Sequence, residues 1–148
     1  MIYQVIVGLI IPWMVGTYLC FKKPKFMLMI VPIGISTAFL INNWGFNYFW
    51  RLKHSYKNLS LASVPFNIGL FPILGCLFIS SIHYTKLNTF LSLALFTIFT
   101  TLIEFWALKE GEIIYRNGWN IGFTAISYFI GYLVVFIYYK LLRKYKIL

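Results

Sequence analysis

The chain is short of acid. It contains no aspartate, and its three glutamates, Glu104, Glu110 and Glu112, all fall between Leu87 and Asn120. Cysteine is scarcer still: Cys20 and Cys76 lie far apart in apolar segments without CxxC spacing, which speaks against a disulfide framework and reads them as small core residues. The two histidines, His54 and His83, are isolated in sequence, so no metal centre is expected. No GxSxG, HExxH or P-loop pattern occurs, and nothing else in the chain points to a cofactor. Charged residues make up only 11% of the sequence, too few for a soluble globular domain, and no stretch between the apolar runs is large enough to build a soluble core of its own.

Apolar and aromatic residues take the place of charge, at 61% and 21% of the chain. A sequence of this kind needs lipid as its solvent. The pattern predicts an all-α fold, a polytopic membrane helix bundle forming one domain over residues 1–148, with spans at 2–21, 26–41, 59–84, 89–108 and 121–142. In the first span Gly8, Pro12 and Gly16 stand four apart on one face, where a kink flanked by small residues lets another helix come close. The third span carries Pro65, Asn67, Gly69, Pro72 and Gly75. It reads as a kinked helix or as a broken one that exposes backbone groups to a substrate at membrane depth. Residues 42–58 are too aromatic for a solvated loop, and Trp44 and Trp50, with Arg51 and His54, read as an interfacial segment on the membrane surface, a re-entrant dip or a continuation of the second span.

The fourth span is where chemistry is best sought. From Thr89 to Leu108 there is no glycine or proline and one charge, Glu104, so about 20 residues of helix just cross a hydrocarbon core of about 30 Å. Thr97, Thr100, Thr101 and Glu104 follow at i, i+3, i+4 and i+7 and share one stripe, which should face protein or water. Two readings stay open. Glu104 is a proton-titrating or cation-binding carboxylate, as ionisable groups inside spans tend to be, or it lies near the helix end and simply reaches headgroups or a base.

Five spans put the termini on opposite sides, and basic residues choose the orientation. With the C-terminus inside, the inner side holds Lys22, Lys23, Lys25, Lys86, Lys140, Arg143, Lys144 and Lys146, against Arg51, Lys53, Lys57, Lys109 and Arg116 outside. The positive-inside rule then predicts an N-terminus outside and a C-terminus inside. The net charge of +10 is accordingly assigned to anionic headgroups at the inner surface and not to nucleic acid. This topology brings residues 42–58 and 109–120 to one face, so that Glu104 and Glu112 meet Arg51 and His54. An unpaired carboxylate at the membrane edge is costly, and Glu104 is expected to pair with one of those two bases.

The stretch Asn42-Asn43-Trp44-Gly45-Phe46-Asn47-Tyr48-Phe49-Trp50, together with Glu104, Glu112, Tyr115 and Trp119, resembles a small uncharacterised multi-spanning membrane protein family of spore-forming Gram-positive bacteria. That resemblance implies a cytoplasmic-membrane location and brings no reaction or functional residue with it.

Three functions compete on these residues. The first is a non-catalytic subunit or small oligomeric scaffold, acting as a homo-oligomer or within a larger membrane complex; small-residue helix faces and the missing catalytic motifs favour it. The second is a solute or ion transporter using the Thr97/Thr100/Thr101/Glu104 stripe and Asn67 in the broken third span. The third is an enzyme acting on a lipid at the outer interface, with Glu104, Glu112 and His54 as acid/base groups. A continuous polar cavity would support transport, a lateral groove ending at Glu104 an enzyme, and a dry filled bundle a scaffold.

Overall fold

The computed structural model describes residues 2–53 and 59–148, with the backbone alone at Tyr3, Leu59 and Ser60. Helix α1 comprises Ile2–Val5, a π-helical turn at Ile6–Ile10 and Ile11–Lys22; α2 is Pro24–Tyr48. Helix α3 comprises Leu59–Pro65, a second π turn at Phe66–Leu70 and Phe71–His83, followed by α4, Thr89–Lys109, and α5, Ile121–Lys144. Helices α2 to α5 are long and apolar enough to cross a membrane, whereas the apolar run of α1, Ile6–Lys22, is shorter. The protein is an all-α integral membrane bundle.

Local chemistry sets the breaks. Lys23, at φ −143°, is pushed out of the helical region by Pro24, which then opens α2 at its first turn. The Asn88 side chain caps α4 by accepting from the Phe90 and Leu91 amides. Asn120 caps α5 in the same way through Gly122 and Phe123.

The second span runs on into the aromatic stretch, which is one of the readings open for it. Helix α2 does not stop near residue 41 to release an interfacial segment; it continues through Asn42–Trp44 to Tyr48, for 25 residues. At about 1.5 Å per residue that is about 37 Å, longer than a hydrocarbon core of about 30 Å, so its aromatic end emerges at headgroup depth while still helical. Trp50–Leu52 then forms strand β1 and pairs antiparallel with β2, Ile113–Tyr115, in the register Trp50↔Tyr115, Arg51↔Ile114 and Leu52↔Ile113. The two connections therefore meet at one end of the bundle. Residues 54–58, with His54 among them, lie outside the described residues.

Helix α3 is the hub and packs on each of the other four helices. Its Ile73, Cys76, Phe78 and Ile79 are buried with Ile30, Tyr132, Val135 and Tyr139. Lipid is as apolar as these side chains, so close packing and polar contacts hold the bundle more than escape from solvent does. Large apolar side chains on the outer faces, among them Phe21, Leu28, Leu40 and Phe90, stand exposed to lipid. The π turns of α1 and α3 lie against each other, and a Cβ on Gly69 would come within 2.1 Å of the Gly8 carbonyl oxygen. Pro72 has no N–H to offer the Ile68 carbonyl four residues back, and the Trp13 indole donates to it at 2.9 Å. The third span is thus a continuous helix with a π turn between Pro65 and Pro72, and the carbonyl freed by Pro72 is satisfied by protein.

Candidate functional site

Glu104 lies one and a half turns from the end of α4 and faces α5. Tyr115 of β2 donates to Glu104 Oε1 at 2.6 Å, Thr124 of α5 donates to the same oxygen at 3.1 Å, and Tyr128 of α5 donates to Oε2. The direction of these bonds follows from the next residue out. The Trp119 indole can only donate, and it does so to Thr124 Oγ1 at 2.9 Å, which leaves the single Thr124 proton to turn inward, shared between Glu104 Oε1 and the Tyr115 oxygen 2.8 Å away. Three hydroxyls thus converge on one carboxyl group used purely as an acceptor, the role a carboxylate fills. Burial, first, and then the charge of Glu104 and the bond to it raise the Tyr115 hydroxyl well above its ordinary value, so it stays a donor at neutral pH.

The expected partner is Arg51 or His54; His54 lies outside the described residues, and the structure turns Arg51 away. In β1 the side chains alternate: Trp50 and Leu52 are buried and Arg51 is exposed, on the opposite face of the hairpin from Glu104. Neutral hydroxyls take the role assigned to Arg51, and among the described residues no cation contacts Glu104. Each donor to a charged group is worth about 1.5–3 kcal/mol, enough for three to offset the burial of one acid near a helix end.

Beside this cage is a cavity of about 110 Å³. One wall is α1, with Gln4 and Val7; the other is α4, with Thr100, Ile103, Glu104 and Ala107. Phe66, Leu70 and Phe71 of α3 and Tyr128 of α5 form its back, and Trp50, Leu52, Glu112 and Ile113 of the hairpin region form its roof. Among the described residues α1 and α4 make no packed interface with one another, so the cavity is a groove that opens sideways between them. Its surface is overwhelmingly apolar, with polar groups gathered under the roof.

The structure therefore brings together Glu104, Thr100, Glu112 and Trp50 from the expected set. Asn67 is fully buried behind them, accepting from Asn42 and donating to Ser63 at 3.1 Å; Asn42 and Ser63 are the members of that chain that line the groove. The threonine stripe does not form a polar path. Thr100 bonds Tyr132 at 2.6 Å and the Phe96 carbonyl at 2.7 Å, and Thr101 bonds the Thr97 carbonyl at 2.7 Å. The Thr97 hydroxyl is buried without a partner among the described residues. Trp44 is half exposed, against Phe49 and Trp119, and stands outside the groove.

Tyr128, Thr124 and Gln4 were not singled out by the sequence reading, and Tyr115 and Trp119 entered it only through the resemblance. A signal existed: Thr124, Tyr128 and Tyr132 recur every four residues and put a hydroxyl face on α5 that matches the Thr100/Glu104 face of α4. Among the described residues no cluster of three His, Cys, Asp or Glu forms a metal-ligand set, and both cysteines are free. In comparisons with known proteins, no family model, curated protein or solved structure matches the chain.

Proposed function

We propose that the protein is a non-catalytic component of the cytoplasmic membrane that holds an amphiphile in the lateral groove, tail toward lipid and polar head under the hairpin. One observation carries the proposal: an apolar groove, open sideways between α1 and α4, ends at a fixed carboxylate. The cavity is smaller than the void of about 150 Å³ that admits benzene, so it suits a head of a few heavy atoms with the chain leaving through the side. Among the described residues Glu104 and Asn42 bring acceptor oxygens to the lining and no lysine or arginine lines it, which favours a head that donates hydrogen bonds or carries positive charge.

The transporter reading loses support because Thr100 and Thr101 are engaged in backbone and tyrosine bonds and the Thr97 hydroxyl is buried. Of the other acid/base groups that the enzyme reading draws on, Glu112 lines the groove and His54 lies outside the described residues, while Tyr115 and Tyr128, which contact Glu104, are hydroxyls committed to holding it. The basic-residue count supports an N-terminus outside and a C-terminus inside. Exposed apolar flanks leave room for a second copy or a larger membrane complex.

The test is native mass spectrometry of the protein released from mild detergent. Wild type should retain one amphiphile per chain, and Ala107→Trp, which fills the groove, should lose it while keeping its helical circular dichroism. A bare wild-type chain, or equal retention by the filled variant, would refute the proposal.

A further inference from the structure

We infer that a second site, at the opposite end of the bundle, binds the phosphate headgroup of an anionic membrane lipid. A pocket of about 500 Å³ lies there between the end of α3, the start of α4 and the last turns of α5. Lys140, Arg143 and Lys144 line it at i, i+3 and i+4, so three cations share one face of α5. Like charges at this spacing repel each other, and the usual remedy of an acid on a neighbouring helix is missing. Every acidic side chain of the protein lies at or beyond the far end of α4, roughly a membrane thickness away. No acidic side chain of the given sequence supplies the counter-charge for this face.

The pocket is built and not merely a spray of surface lysines. The Tyr139 hydroxyl, at its edge, is buried and bonded on both sides: Arg143 donates to it at 3.4 Å, which leaves its own proton for His83 Nδ1 at 2.9 Å. Arg143 is thereby held over the pocket with donors to spare. The opposite rim is Thr89, in the first turn of α4, where the positive end of the helix dipole favours negative charge.

Two features favour a lipid over a free anion. Ile82 and Phe136 make much of the pocket lining apolar, which suits a glycerol backbone better than a hydrated ion. Directly past Thr89, Phe90 and Leu91 stand exposed on the outer face of α4, in position to meet acyl chains. Basic pockets between helices at the cytoplasmic ends of spans are suited to anionic headgroups, and this end carries the basic majority of the chain. The site shares no residue with the groove at Glu104, so the two stand or fall separately.

The test is thermal unfolding of the full chain in neutral detergent with added phosphatidylglycerol, phosphatidylcholine or inorganic phosphate. Phosphatidylglycerol should raise the midpoint and the other two should not. Lys140→Gln/Lys144→Gln, which changes two exposed side chains, should need about tenfold or more lipid for the same rise. Lys22→Gln/Lys25→Gln, with the same charge loss at the same end, should behave as wild type. Protection by phosphatidylcholine, an equal loss in the control pair, or the full rise with inorganic phosphate alone would overturn the inference.

Discussion

At the hairpin end of the bundle one carboxylate is enclosed by three hydroxyls; at the other end three cations of α5 face a pocket that no acidic side chain of the protein can reach. The first charge is satisfied within the fold and the second is left for a ligand. This difference separates what each end contributes. Removing a charge from the hairpin end strands its partners and should cost stability, whereas removing one from the basic end should cost ligand affinity and little else.

The largest effect is expected at the carboxylate itself. Glu104→Leu leaves the hydroxyls of Tyr115, Thr124 and Tyr128 without their shared acceptor, and unfolding monitored in detergent should show a loss of about 3 kcal/mol or more. Gly45→Ala comes next. A Cβ there would fall 1.8 Å from the Trp50 indole, so the tryptophan and its hairpin must move, with about 1–3 kcal/mol lost and a red shift in tryptophan emission.

Tyr128→Phe removes one donor and keeps the ring, and should cost about 1–3 kcal/mol by the same unfolding assay. Tyr115 adds a pH signature. Its folded-state value is raised above the ordinary value of about 10, so stability is fully present below that pH. It falls as pH rises further, because the unfolded chain releases the proton first. Thermal midpoints measured from neutral to strongly alkaline pH should decline beyond about 10, and Tyr115→Phe should flatten the decline. The smallest effect belongs to the basic end: Lys144→Gln without added lipid should shift stability by no more than about 0.5 kcal/mol, and a larger loss would erase the contrast between the ends.

How much of this could be read from sequence depended on the size of the signal. The helices were legible because each is a long apolar run, and their ends because Pro24, Asn88 and Asn120 are strong local breaks or caps. The hairpin was not legible, since two strands of three residues are too short to show alternation, and its pairing joins residues 63 apart in register, such as Arg51 and Ile114. Tryptophan and tyrosine at 44–50 suggest an interfacial segment over 42–58 because both residue types favour headgroup depth. A helix that outruns the hydrocarbon core reaches the same depth without ending.

The site divides along the same line. Glu104 was legible as the one charge in its span. Its partners were not, because a search for compensation looks first for a cation, and Arg51 was the near one in topology. Strand alternation turns Arg51 outward, and that alternation exists only once β1 has paired with β2. Hydroxyls on Thr124 and Tyr128 are ordinary in membrane helices, and they became informative only when α5 was known to pack on α4.

The central claim, that the groove beneath the hairpin takes an amphiphile from the bilayer, can be tested by photocrosslinking. A long-chain amine with a diazirine on its aliphatic chain would be irradiated with the protein in membranes and the labelled peptides mapped. Labels concentrated on Leu70, Ile103 and Ala107, and lost in Ala107→Trp, are the predicted result. Labels spread over the outer faces at Leu28, Leu40 and Phe90, with none in the groove, would contradict it.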